Sequence, residues 1–146
     1  DFRNEMITMK YEFTDDYLTG IESIDKEHAR LFEIANETYD LMQNDLVTDK
    51  YDKIVDLIKQ LEEYTKTHFA HEEEFMESIH YQHIWSERHQ HMTFIKKLDE
   101  VDLEQVDHGQ QEYITEVLDF LAKWLQGHIK GADKRIGEAV KQQEQS

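Results

Sequence analysis

The sequence predicts an all-α fold: an up-down-up-down four-helix bundle with an N-terminal extended arm and a short C-terminal helix. Three observations carry this expectation. Proline is absent and glycine occurs only 5 times in 146 residues, so little punctuates long helical runs. Apolar residues recur with a 3.6-residue period in four separate stretches. Short polar connections join those stretches, which sets successive helices antiparallel.

Residues 1–10 read as an arm, 11–142 as a single domain and 143–146 as a tail. A chain of this length supports one sizeable core. YEFTDDYLTG at 11–20 mixes aromatics with turn formers and ends at Gly20, an extended segment lying over the bundle. The first helix is expected over about 21–44, with Ile21, Ile24, His28, Leu31, Ile34/Ala35, Thr38 and Leu41/Met42 on one stripe. NDLVTD at 44–49 connects it to a second helix over about 50–78. There Ile54, Leu57/Ile58, Leu61, Tyr64/Thr65, His68, Glu72 and Phe75/Met76 share a face, and HYQ at 80–82 breaks the pattern. A third helix over about 84–101 carries Ile84, Glu87, His91, Phe94/Ile95 and Leu98. The stretch 101–109 is a connection. The fourth helix, about 111–127, uses Ile114, Val117/Leu118, Leu121, Trp124/Leu125 and His128, and a short terminal helix is expected over about 132–140. The start at Asp1 suggests a domain cut from something longer.

Composition excludes several functions. A net charge of −17 argues against nucleic acid or an anionic membrane as a partner, because phosphate binding needs clustered Lys and Arg. Without cysteine there are no disulfides, no thiolate catalysis and no zinc–thiolate site. No apolar run approaches the roughly 20 residues of a membrane span, and no signal-peptide pattern occurs. The expected location is cytoplasmic.

Polar side chains nonetheless sit on the core stripe of all four helices. They are His28 on the first, His68 and Glu72 on the second, Glu87 and His91 on the third, and His128 on the fourth; Asp133 follows His128 by five. His68 and Glu72 are four apart and project from one face. Burying one such group unpaired costs several kcal/mol, and an ionised carboxylate costs far more. A bundle keeps them inside only if they satisfy one another or bind cations. Four imidazoles and three carboxylates exceed what one tetrahedral zinc takes, and suit two octahedral first-row ions bridged by carboxylates, iron foremost. The ferritin-like alternative needs Glu-x-x-His on two helices, and only Glu77–His80 offers it, at the edge of a turn.

TDDYLTGIESIDKEHARLF around His28, HFAHEEEFM around His68 and Glu72, and WLQGHIKGADKRIG around His128 and Asp133 together resemble the hemerythrins and their bacterial relatives. The likeness covers most of residues 11–137. It implies a four-helix bundle holding two non-haem irons, with His28 and His68 on one and His91 and His128 on the other. Glu72 and Asp133 would bridge them. The five-residue step to Asp133 is not a same-face helical spacing, so the family pattern places that residue in the site. Around the irons Phe69, Met76, Trp124, Leu125 and Ile129 could form an apolar pocket; Phe69, Met76 and Leu125 read as plain bundle core, which leaves Trp124 and Ile129, and Ile129 follows His128 where the family places a residue facing bound dioxygen.

One departure stands out. The family's His-x-x-x-His on the third helix is here Glu87 and His91. Glu87 is the expected ligand, with His83, one turn before it, as the rival or an outer partner. His89 points elsewhere. His71 and His80 read as surface residues, and His108 as a cap or loop residue. A carboxylate in place of imidazole favours Fe(III), so the expectation is a poorer dioxygen carrier and a better redox sensor. The competing functions are a sensor of oxygen or redox state, fused to or read by a signalling output such as a diguanylate cyclase or chemoreceptor; a di-iron enzyme handling peroxide, NO or Fe(II); and simple dioxygen storage.

Overall fold

The computed structural model describes residues 9–145. Expectations that fall on 1–8 and on Ser146 lie outside the described residues. Helices α1 (Glu22–Gln43), α2 (Lys50–Ser78), α3 (Ile84–Asp99) and α5 (Gln111–His128) form the four-helix bundle: α1 packs on α2, α2 on α3, and α5 closes against α1 and meets α3 where Trp124 stacks on Phe94. The connection expected at 101–109 contains a short helix, α4 (Leu103–Asp107), capped by the Asp102 side chain, which accepts from the Glu104 N–H at 3.0 Å. The terminal helix, α6 (Lys134–Gln145), runs further than the expected residue 140, and a π turn over Ile129–Asp133 joins it to α5.

Local chemistry sets the boundaries that matter for the site. Ahead of α1, the Asp25 carboxylate accepts from the Thr19 N–H (2.8 Å), the Thr19 hydroxyl (2.8 Å) and the Gly20 N–H (3.1 Å). This locks the start of the helix one turn before His28; Gly20 takes φ +86° to make the bend. At the same end of this hairpin, α2 stops with the Tyr81 N–H donating to the Met76 carbonyl at 2.9 Å, and His80 occupies the left-handed position usually given to glycine. The arm is extended apart from one 3₁₀ turn at Asp15–Tyr17. It is pinned to α1 by a reciprocal pair: the Tyr11 N–H donates to Asn36 Oδ1 and Asn36 Nδ2 donates to the Tyr11 carbonyl.

The central core is built from Leu31, Ile34, Leu61, Phe69, Phe94, Leu98, Leu121 and Leu125. Each fully buried side chain of this size contributes about 1.5–3 kcal/mol relative to exposure. Met42, Ile54, Ile58, Val106 and Ile114 fill one end of the bundle, and Met76, Tyr81 and Ile136 the other. The layer of buried polar groups lies between the central core and that second end.

Candidate metal centre

His28, His68, Glu72, Glu87, His91, His128 and Asp133 are all buried, none more than 6% exposed. They form two overlapping groups whose donor atoms lie within 4.8 Å of one another. Glu72, Glu87, His91, His128 and Asp133 make the first; His28, His68, Glu72 and Asp133 make the second. Helix periodicity explains six of the placements, since His68/Glu72 and Glu87/His91 are each four apart and His28 and His128 each stand on the stripe of their own helix. Asp133 needs a different account. In the π turn the Lys134 N–H reaches back to the Ile129 carbonyl, an i→i+5 closure that brings residues five apart into line. His128 Nε2 and Asp133 Oδ1 are consequently 3.1 Å apart.

Glu72 and Asp133 straddle the two groups. Glu72 directs Oε2 toward His28 (3.4 Å) and His68 (3.2 Å), and Oε1 toward His91 (3.0 Å). Asp133 directs Oδ2 toward His28 (3.0 Å) and Oδ1 toward His128. All four histidines turn Nε2 inward. The Nδ1 atoms of three of them face outward, where Glu27 binds that of His68 (2.7 Å), Glu73 that of His91 (2.9 Å) and the Gln90 side-chain oxygen that of His128 (2.8 Å). An acceptor on Nδ1 fixes the tautomer that leaves Nε2 free to bind a metal.

Electrostatics point the same way. Burial alone would raise Glu72, but the four imidazoles facing it overcome that and hold the carboxyl well below the usual range. Burial and the adjacent Asp133 charge push Glu87 up to about 9. Burial opposes charging His128 and His68, yet their carboxylate partners raise them to about 10 and about 9.

These residues fit a pair of cations on a test internal to the structure. Of eight buried side-chain polar atoms without a hydrogen-bond partner among the described residues, seven belong to His28, Glu72, Glu87 and Asp133. His28 Nε2 and Asp133 Oδ2 are near but misaligned for a hydrogen bond. Likewise, His91 Nε2 and His128 Nε2 face each other at 3.2 Å. Lone pairs aimed at common points, rather than at one another's protons, suit metal ligation.

The hemerythrin HHE cation binding domain matches residues 19–140. The chain belongs to the hemerythrin family. It is 41% identical over 124 residues to a bacteriohemerythrin of Clostridium acetobutylicum, covering 85% of this chain and 96% of that protein. It is 32% identical over 127 residues to a bacteriohemerythrin of Pseudomonas aeruginosa (87% and 79%) and 29% identical over 124 residues to a myohemerythrin of Theromyzon tessulatum (84% and 88%). The hemerythrin domain is a di-iron, oxygen-binding module, and the buried cluster is able to hold its metal.

Glu87 is brought into this hemerythrin's cluster and His83 is not: His83 is exposed, its ring edge-on to Tyr81. His80 and His89 are exposed, and His108 caps α4. His71 is exposed, as expected of a surface residue, but its Nδ1 binds Glu27 at 2.7 Å, so one carboxylate joins it to His68. Trp124 stacks on His128 with ring centroids 4.5 Å apart, and Phe69 lies flat on His91 at 3.9 Å. Ile129 packs toward the arm, with Tyr11, Tyr17 and Phe32, while Met76 lies with Tyr81 and Ile136. Sequence reasoning missed Glu27, Glu73 and Gln90. Their signal was adjacency, each lying one residue from a stripe histidine or glutamate.

Among the described residues no helix is long and apolar enough to cross a membrane.

Proposed function

We propose that His28, His68, Glu72 and Asp133 hold one iron and that Glu87, His91, His128, Glu72 and Asp133 hold the other, in a domain that senses oxygen or redox state. Iron held there in the ferrous state would supply the electrons that dioxygen or a peroxide takes up. The chain's own residues set the terms. Glu27, Glu73 and Gln90 hold three imidazoles with Nε2 inward, and Phe69 and Trp124 cover two of the rings against water. Glu87 adds a negative charge beside Asp133, which stabilises the more oxidised state.

The observation that carries the sensing reading is the position of Asp133. It faces both groups and sits in the π turn that leads into α6, so a change on either side of it pulls on the terminal helix. A fused or separate output, such as a diguanylate cyclase or chemoreceptor in the cytoplasm, would read that movement. The test is anaerobic. Iron-loaded, reduced protein is exposed to air and then degassed while its visible spectrum and the hydrogen exchange of 134–145 are followed. A redox sensor gives a spectrum that only a reductant reverses and an oxygen sensor one that degassing reverses; either gives an exchange rate in α6 that differs between the two states. Identical exchange in both would sink the reading.

Glu87 also favours a second reading, an enzyme consuming peroxide or a related oxidant, since carboxylate-rich sites suit oxidised iron. Sustained turnover of peroxide without any partner protein would select it.

A further inference from the structure

The seven buried groups leave metal no direct way in, so it must pass one of the side chains that join them to solvent. Three bind the outward Nδ1 atoms, and only Glu27 and Glu73 carry a charge that draws a cation. Their outer neighbours differ. Glu73 is held by Arg88, whose Nε lies 3.2 Å from it; the same guanidinium grips Glu77 at 2.8 Å and lies over the Trp85 ring. A fixed positive charge closes that side to a dication.

On the Glu27 side there is no such plug. One Glu27 oxygen binds His68 and the other binds His71, both at 2.7 Å. Beside them an open groove of about 370 Å³ is lined by Ser23, Glu27, His71, Glu74 and Ser78 together with the apolar Ile24 and Phe75, and no Lys or Arg lines it. Glu74 and His71 are exposed. Imidazole, carboxylate and hydroxyl donors together match a hydrated first-row dication. A chain of net charge −17 concentrates such cations at its surface.

We infer that the Glu27–His71 groove is the uptake site for Fe(II), where His71 and Glu74 capture the ion and Glu27 passes it inward to His68. This rests on the ligand assignment proposed above, and rate and stoichiometry separate the two. The probe is Co(II) alone, mixed anaerobically with metal-free full chain in a stopped-flow instrument and followed by its visible d–d absorption. Bound metal per chain is then measured at equilibrium.

Steering of ions by local charge changes association rates by about tenfold or more. His71→Ala and Glu74→Gln should therefore each slow uptake about threefold, and the double variant about tenfold, with the final metal content unchanged. Added salt should slow the wild-type chain more than the double variant. Arg88→Gln should not slow uptake. A double variant that fills at the wild-type rate would overturn the inference, as would an Arg88→Gln chain slower than wild type. Reduced final content in the double variant would overturn it too, because these residues would then belong to the holding site. Wild-type protein that takes up no metal overturns both this inference and the ligand assignment.

Discussion

The two halves of the buried cluster share Glu72 and Asp133 and differ in almost everything else. The half built on His28 and His68 has four donors. Its outer carboxylate, Glu27, is shared with an exposed imidazole, and His28 Nδ1 has no acceptor among the described residues. The half built on Glu87, His91 and His128 has five donors. There both Nδ1 atoms have acceptors, one of them clamped by Arg88, and both rings are stacked against aromatics. Yet this better supported half also contains a carboxyl left without any hydrogen-bond partner among the described residues. Both oxygens of Glu87 lack a hydrogen-bond partner, and Asp133 lies close enough to raise its pKa. Rigid support and electrostatic conflict occur together, which is the arrangement expected where a cation supplies the missing charge.

The sharpest way to break the comparison is to remove what the halves share. Glu72→Gln deprives both of a bridging carboxylate, and iron content should fall from two per chain to none. Glu87→Gln leaves that half with the same four kinds of donor as its neighbour. It should keep two irons, one of them held at least about 10- to 100-fold more weakly, since even the outer partner of a ligand is worth that much. Iron assay after dialysis against a graded chelator reads both. If Glu87→Gln empties the whole site, the halves are not separable.

A second effect appears with metal removed. Glu87 is raised from 4.5 to about 9, and His68 and His128 from 6.5 to about 9 and about 10. A group whose folded pKa is raised contributes stability that is complete below its unfolded pKa and is lost as pH climbs through the folded value. All three therefore act in one direction: chelated protein should melt lower at about pH 9 than at about pH 6. Glu72, held low, loses its contribution only on the acid side of its ordinary value, outside that window. Glu87→Gln should shrink the alkaline drop in Tm by at least about 3 °C, because a neutral amide has no charge to bury. Calorimetry at the two pH values decides it. An unchanged drop would place the conflict in the histidines of both halves instead of in Glu87.

These outcomes bear on how much the sequence revealed. Periodicity placed His28, His68, Glu72, Glu87, His91 and His128 on core stripes, and the structure buries every one. It could not place Asp133, because a five-residue step reaches the same face only through a π turn, and IKGAD carries no rule that demands one. Nor could it find Glu27, Glu73 or Gln90. On a helical wheel they sit on the flank of the stripe, where a charged residue looks like ordinary surface. Their role exists only once two helices meet.

Replacing those flanking acceptors sharpens the comparison further. Glu27→Gln should weaken metal in the His28/His68 half, and Glu73→Gln in the other, each by about tenfold. Competition with a chelator, using Co(II) spectra to tell the two positions apart, would show the selectivity. Equal losses from both halves in either variant would mean that the outer carboxylates act through overall charge.

The smallest effect belongs to Gln90. Its amide oxygen is a neutral acceptor for His128 Nδ1, so it orients the ring without adding charge. Gln90→Leu should cost about threefold in metal retention, less than either carboxylate, because Trp124 still stacks on the ring. Gln90→Glu is the more telling change. A carboxylate there makes the imidazole more basic and should lower the midpoint potential by roughly 30 mV, the equivalent of about a threefold shift at one electron. It also places another negative charge near Glu87. If that repulsion wins, the metal-free Gln90→Glu chain loses stability while the loaded chain gains it, and the opposite signs would tie the poorly satisfied carboxyl of this half to the cation it awaits.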